Sequence, residues 1–229
     1  MMLLRAAFFY LATLFIYLGL PLIGWGLDNL GGFFSIAPRM GYALAVALFA
    51  GAIGIQAVGG TEGIRGGKGE VSKWNRRESV VRFGMVSLLY LALLLIPFAD
   101  RHDVGVIADG SALRWLGVAL SALGYGFVFW SGLALGKQYS PEVTIQKDHR
   151  LITSGPFRWI RHPRYLGVIL LALGVSLAFR SWIGLAAAPF LIGMLLLRIH
   201  DEEELLGREF GEEWKIYCRK SARLLPGIW

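Results

Sequence analysis

Five consecutive residues in the second half of the sequence have side chains suited to binding an amino-acid-like ligand. They are Arg161, His162, Pro163, Arg164 and Tyr165. Pro163 suits the first turn of a helix, where no backbone donor is required. His162 and Tyr165 would then lie at a helix N-terminus beside unpaired N–H groups, and such a place suits a carboxylate.

A second polar group, Arg198 and Glu202, follows further along the chain. The two residues are four apart, so they share one face of a helix. Taken singly, each has a plain structural explanation. Arg198 could be an interfacial cation, and the acidic run 201–204 could be a solvated helix face.

The two polar groups are separated by a pair of apolar runs, 165–179 and 182–197, which Arg180 and Ser181 divide. This pattern predicts a helix-turn-helix hairpin, and the two ends of a hairpin lie close together. The polar groups should therefore meet at one cavity at the edge of the membrane. Clustered ionisable residues at that depth indicate a functional site.

The composition places the hairpin in a membrane protein. Hydrophobic residues make up 55% of the 229 residues and charged residues only 17%, whereas soluble domains average about 25% charged residues. The sequence predicts an all-α, polytopic membrane protein with about six membrane-inserted helices and a C-terminal helix in the cytoplasm. The apolar runs that could insert are 6–27, 40–58, 83–98, 115–136, 165–179 and 182–197.

The distribution of Lys and Arg predicts the orientation. With six crossings, all but four of the 23 basic residues fall on one side, which the positive-inside rule assigns to the cytoplasm. Both termini and the polar site should therefore be cytoplasmic. The pI of 9.8 is explained by topology and requires no nucleic-acid partner, although the basic face could attract anionic membrane lipid. The four exceptions are Arg39, Arg101, Arg114 and Arg180.

We predict no metal site, because Cys218 is the only cysteine and the four histidines show no HxxxH spacing. The glycine-rich stretch 59–69 lacks the register of a phosphate-binding loop and is interpreted as a linker. Glycines within the apolar runs are interpreted as sites of close helix packing. The turn Ser154-Gly155-Pro156 should precede the Arg161–Tyr165 segment.

A series of motifs from about residue 136 to 226 resembles the isoprenylcysteine carboxyl methyltransferase family, in the right order and spacing. The organisation of the sequence predicts a single integral membrane domain over 1–229, with N-terminal transmembrane helices over 1–98. The resemblance implies that a methyltransferase catalytic region extends over 114–229. The motifs are Leu151 to Arg158, Arg161 to Tyr165, Glu202-Glu203 with Leu206, Phe210 to Trp214, and Leu225-Pro226.

The resemblance implies that S-adenosyl-L-methionine is the cofactor, held between the hairpin and its flanking loops. One set of residues would surround the nucleoside: His149, Arg150, Leu151, Ile152 and Phe157. A second set would hold the methionine part and the sulfonium: His162, Pro163, Arg164 and Tyr165, with Glu202 from the opposite arm.

The resemblance also implies the catalytic residues, which we predict to be Arg161, Arg198 and Glu202. Arg198 would bind the acceptor, a lipophilic small molecule or a lipidated substrate that enters from the bilayer. The most favoured reaction is O-methylation of an isoprenylcysteine-type carboxylate, which is already a nucleophile and needs no strong base. An amine or thiol acceptor would have to be deprotonated, with His162 or His200 as candidate base.

Other interpretations of the sequence stay open. A phospholipid or a hydrophobic thiol could be the methyl acceptor. The Arg161–Tyr165 segment and the stretch 210–218 also resemble NAD(P)H-dependent sterol reductases. A non-catalytic membrane scaffold or small channel would bind no cofactor.

Overall fold

The described part of the chain is almost entirely helical, as predicted. The computed structural model describes residues 2–58, 71–72, 76–136, 144–145 and 150–227. The α-helices are α1 (Met2–Leu14), α2 (Leu20–Trp25), α3 (Leu30–Phe33), α4 (Ala37–Val58), α5 (Arg76–Arg101), α6 (Ser111–Leu135), α7 (Pro163–Ala178) and α8 (Trp182–Lys220). A two-residue antiparallel ladder joins β1 (Val71–Ser72) to β2 (Thr144–Ile145).

Five helical segments in the described residues are long and apolar enough to cross a membrane, and α7 is a shorter apolar helix. An integral, multi-pass membrane protein with about six inserted helices is consistent with this set. The number of complete crossings stays a prediction. The five long segments are Met2–Trp25, Ala37–Val58, Arg77–Arg101, Ser111–Leu135 and Trp182–Lys220.

The first segment contains a π-helical turn, Phe15–Gly19, between α1 and α2. Pro21 causes this irregularity, because it has no N–H to donate to the carbonyl of Tyr17 four residues earlier. The hydroxyl of Tyr42 on α4 donates to that carbonyl at 2.8 Å. The bond satisfies a backbone acceptor that would otherwise be costly inside a membrane.

Helices α6 and α7 pack together through glycines, as predicted for glycines within the apolar runs. Gly117 and Gly124 of α6 lie opposite Gly174 and Gly167 of α7. A Cβ atom on Gly124 would lie 2.7 Å from the Gly167 carbonyl oxygen, and one on Gly174 would lie 2.8 Å from the Gly117 oxygen. The two backbones can therefore approach closely, which is how helices associate in lipid.

The predicted hairpin is present, with α7 and α8 as its arms. Ser181 caps α8, because its side chain accepts a hydrogen bond from the Gly184 N–H at 3.1 Å. Beyond the predicted apolar run, α8 continues to Lys220, with a non-helical break at Gly211. The C-terminal helix is thus an extension of the second arm, and its cytoplasmic location stays a prediction.

A buried ion cluster holds the hairpin turn against three other helices. The side chain of Asp100 at the end of α5 is fully buried, and it pairs with Arg39 at 3.4 Å, Arg114 at 2.9 Å and Arg180 at 2.8 Å. A hydrogen bond from Arg114 lowers the pKa of the nearby Asp109 and keeps that carboxylate charged. The cluster joins α4, α5, α6 and the hairpin turn at one end of the molecule.

Candidate active site

One cavity of about 470 Å³ lies between α5, α7 and α8 in the described part of the chain. Along α8, its wall extends from Glu202 and Arg198 to Gly184. The distance from Arg198 to Gly184 is about 20 Å at 1.5 Å per residue. The end near Arg198 is polar and the rest is mainly apolar. Apolar residues that line it include Met85, Leu89, Leu93, Val168, Leu171, Val175, Ala188 and Leu191.

The sequence before α7 folds as predicted for a turn leading into a helix. Gly155 has φ 61°, a backbone angle that glycine adopts easily. The short 3-10 helix Gly155–Arg158 follows. Pro163 then begins α7, with His162 at the N-cap and no side chain capping the helix. The first residues of α7 line the cavity, and no side chain among the described residues caps this end of the helix.

The hydroxyl of Tyr165 connects the two arms of the hairpin. It donates to Glu202 Oε2 at 2.8 Å and accepts from Arg198 Nε at 2.8 Å. The His162 ring stacks on the Tyr165 ring, with centroids 5.6 Å apart and planes 18° apart. The predicted meeting of the two polar groups is confirmed, because all four residues line the same cavity.

Glu203 lies behind this group and connects it to the C-terminal segment. Its Oε1 is 3.0 Å from Arg161 Nε and 3.2 Å from His162 Nε2. Its Oε2 is 2.6 Å from Arg223 Nη2. Two guanidinium groups on one carboxylate keep it ionised. The carboxylate therefore acts as a negatively charged centre that gathers three residues from two segments.

The structure brings together every predicted site residue that it describes. All of them line the cavity, although their roles in binding and catalysis stay predictions. His149 lies outside the described residues. The residues brought together are Arg150, Leu151, Ile152, Phe157, Arg161, His162, Pro163, Arg164, Tyr165, Arg198 and Glu202.

The surroundings of Arg161 suggest a supporting role rather than the catalytic one predicted from the sequence. Its guanidinium binds Glu203 and the carbonyl oxygens of Cys218, at 3.1 Å, and Ser221. A guanidinium occupied by three protein acceptors has few donors left for a substrate. The predicted catalytic role of Arg161 stays untested.

Sequence reasoning missed two parts of the site. Helix α5 contributes a full wall of the cavity, from Arg82 to Ile96, although its sequence was interpreted only as an apolar span. Trp214 and Tyr217 after the break in α8 also line the cavity. Tyr217 donates from its hydroxyl to the Phe157 carbonyl at 2.7 Å. The motif that contains Trp214 was recognised, but nothing in the sequence indicated which way its side chain faces.

Comparison with known proteins finds a similar family. Residues 116–208 match the Isoprenylcysteine carboxyl methyltransferase (ICMT) family. This region is therefore similar to the isoprenylcysteine carboxyl methyltransferase family, and the resemblance seen in the sequence is confirmed.

Several known proteins are similar to the chain. The chain is 29% identical to the uncharacterized protein YpbQ of Bacillus subtilis over 57% of this chain and 80% of that protein. It is 32% identical to the protein-S-isoprenylcysteine O-methyltransferase of Schizosaccharomyces pombe, over 36% of this chain and 35% of that enzyme. The chain therefore spans only about a third of the yeast enzyme's length. A solved structure of the eukaryotic intramembrane Ras methyltransferase ICMT resembles the chain with a TM-score of 0.46 and 19% identity, over 96% of this chain and 97% of that one.

Proposed function

We propose that this protein transfers a methyl group from S-adenosyl-L-methionine to a lipophilic acceptor, and that the acceptor group is an isoprenylcysteine-type carboxylate. The observation that carries the proposal is the continuity of one cavity. Its polar end holds Arg198, Tyr165 and Glu202, and its other end is apolar and lies among membrane helices. A lipid tail and a charged head could occupy it together.

The polar end suits the cofactor on the chemistry of its residues. The first residues of α7 line the polar end of the cavity, and the positive end of the helix dipole there favours the carboxylate of the methionine part. The Glu202 carboxylate favours the cationic amine or sulfonium. S-adenosyl-L-methionine, when bound, supplies an electrophilic methyl group. Leu151, Ile152 and Phe157 provide an apolar surface for its nucleoside.

The protein's contribution to methyl transfer is alignment and exclusion of water. Arg198 would orient the acceptor carboxylate, and the Nε of Arg198 would stay hydrogen-bonded to the Tyr165 hydroxyl. Because a carboxylate is already nucleophilic, no residue has to remove a proton. The apolar walls from α5 and α8 exclude water, which favours an in-line displacement between well-aligned partners.

A calorimetric titration tests the cofactor assignment. Purified protein in detergent should bind S-adenosylhomocysteine with micromolar affinity, in the range common for enzyme ligands, and should not bind NADPH. Binding of NADPH without S-adenosylhomocysteine would instead favour the reductase interpretation. Binding of neither ligand would favour a non-catalytic membrane protein.

We further propose that both termini and the polar end of the cavity face the cytoplasm. The four basic residues predicted for the other side are all in ion pairs, three with Asp100 and Arg101 with Asp28. The positive-inside rule counts Lys and Arg rather than net charge, so the support for this orientation is that only four of the 23 basic residues fall on that side. A reporter fused after Trp229 should be active only in the cytoplasm. Activity only outside would overturn the orientation.

A further inference from the structure

Glu203 does not line the cavity, but it contacts two residues that do, Arg161 and His162. Only 12% of its side chain is exposed, and its Oε1 lies between Arg161 Nε and His162 Nε2. Neighbouring Glu202 faces the cavity and bonds to Tyr165. The two adjacent glutamates therefore have different tasks, one on each side of the His162 ring.

The other oxygen of Glu203 holds the C-terminal segment. This segment, residues 221–224, runs alongside residues 159–162. The Arg161 N–H donates to the Ala222 oxygen at 2.8 Å, and the His162 N–H donates to the Arg223 oxygen at 3.1 Å. Arg223 reaches Glu203 Oε2 at 2.6 Å. The chain after α8 thus forms an outer layer behind the start of α7.

The contact with Glu203 determines where His162 carries its proton. An ionised carboxylate can only accept hydrogen bonds, so a bond at 3.2 Å requires a proton on Nε2. The other ring nitrogen, Nδ1, lies 4.0 Å from Glu202 Oε2, too far for a hydrogen bond. Among the described residues, the Glu203 carboxylate is thus the side chain that hydrogen-bonds to the ring, and the face of the ring lies against Tyr165.

We propose that Glu203 is a positioning residue of the methyl-transfer site, which holds the His162 imidazole with its proton on Nε2 and fastens residues 221–224 behind it. Through the stacked rings, this restraint also sets the place of Tyr165 and therefore of Arg198 and Glu202. The inference rests on the proposed function. Glu203 itself touches neither cofactor nor acceptor.

Glu203→Gln tests the proposal with nearly unchanged shape. The amide keeps one acceptor but loses the charge that holds Arg161 and Arg223. We expect the ring ¹⁵N resonances of His162 to shift in histidine-labelled protein, and the affinity for S-adenosylhomocysteine to fall about tenfold or more. Glu204→Gln is the matched control, because Glu204 pairs with Arg208 on the helix surface. It should change neither the spectrum nor the affinity.

The outcomes separate this proposal from the proposed function. Unchanged His162 resonances in Glu203→Gln would overturn it, and so would a shifted ring with unchanged affinity. If the variant does not fold, the ring ¹⁵N resonances of His162 in the parent protein test the proposal. A neutral ring with its proton on Nδ1 would contradict it. If the parent binds no S-adenosylhomocysteine, the proposed function fails, and the spectra alone test whether Glu203 holds the ring.

Discussion

At the scale of single residues, the Tyr165 hydroxyl joins the side chains to which we assign the two halves of the reaction. Glu202 should serve the cofactor, because it is the carboxylate at the polar end of the cavity. Glu202→Gln removes a charged hydrogen-bond acceptor, at a cost of about 1.5–3 kcal/mol. We expect the affinity for S-adenosylhomocysteine to fall about ten- to hundredfold, as measured by calorimetry in detergent.

Arg198 should serve the acceptor. Arg198→Ala is expected to leave cofactor affinity nearly intact and to lower kcat/KM for a lipophilic carboxylate by about tenfold or more. Turnover at varied acceptor concentration provides the measurement. Loss of cofactor binding in this variant would mean that the two roles are exchanged or merged.

Both variants need a control on the same helix. Glu212 is exposed and pairs with Lys215 one helical turn away, so Glu212→Gln should alter stability and binding by less than about 0.5 kcal/mol. If Glu202→Gln and Arg198→Ala behave like this control, the site has been placed wrongly.

The sequence was sufficient to predict which residues meet, because the hairpin brings two short polar segments together by its geometry alone. It could not predict Glu203 as a centre of contacts. The partners of Glu203 are Arg161 and His162, about 40 residues earlier, and Arg223, beyond the break in α8. An acidic run on a helix gives no sign of which of its members turns inward.

At the scale of secondary-structure elements, the α6–α7 interface supports the first arm of the hairpin. Gly124→Ala would place a Cβ 2.7 Å from the Gly167 carbonyl oxygen and 2.9 Å from the Leu171 nitrogen. Rigid backbone atoms cannot move away cheaply, so we expect a loss of about 1–3 kcal/mol in the free energy of unfolding. Denaturant or thermal unfolding in detergent measures the change.

Gly126 offers a matched control on the same helix. A Cβ there would meet no atom within 4 Å, so Gly126→Ala should be neutral or slightly stabilising. Equal effects of the two substitutions would show that α6 and α7 do not pack as described.

The sequence predicted the apolar helices and their glycine contacts, but the part played by α5 could not be read from it. A side chain such as Leu89 or Leu93 is equally suited to a lipid-facing surface and to a cavity wall. Hydropathy is the same in both places. Only the packing of α5 against α2 and α8 determines which of its faces is turned to the site.

At the scale of the whole molecule, the Asp100 cluster joins α4, α5, α6 and the hairpin turn at the end opposite the site. Asp100→Asn would leave Arg39, Arg114 and Arg180 without their shared buried carboxylate. Removal of one partner from a buried ion pair costs about 3–5 kcal/mol. We expect a marked loss of thermal stability in detergent.

Asp103→Asn is the control for this prediction. Asp103 also pairs with Arg180, at 2.8 Å, but 74% of its side chain is exposed, so the change should cost less than about 1 kcal/mol. Similar stability of both variants would contradict the structural role of the cluster.

The composition and the charge distribution of the sequence predicted a membrane protein. In that prediction these arginines entered only as charges in loops. The convergence of four segments on Asp100 depends on the three-dimensional fold.

Methyl transfer to a prenylated carboxylate is the reaction that this protein should catalyse, and it can be measured directly. Purified protein is incubated with S-adenosyl-L-methionine labelled in its methyl group and with an S-prenylated cysteine that has a free carboxylate. We expect a lipid-extractable product whose label is released by base as methanol, and little product from the same acceptor with its carboxylate blocked as an amide. Absence of labelled ester from the free carboxylate, or equal labelling of the amide, would contradict the proposed function.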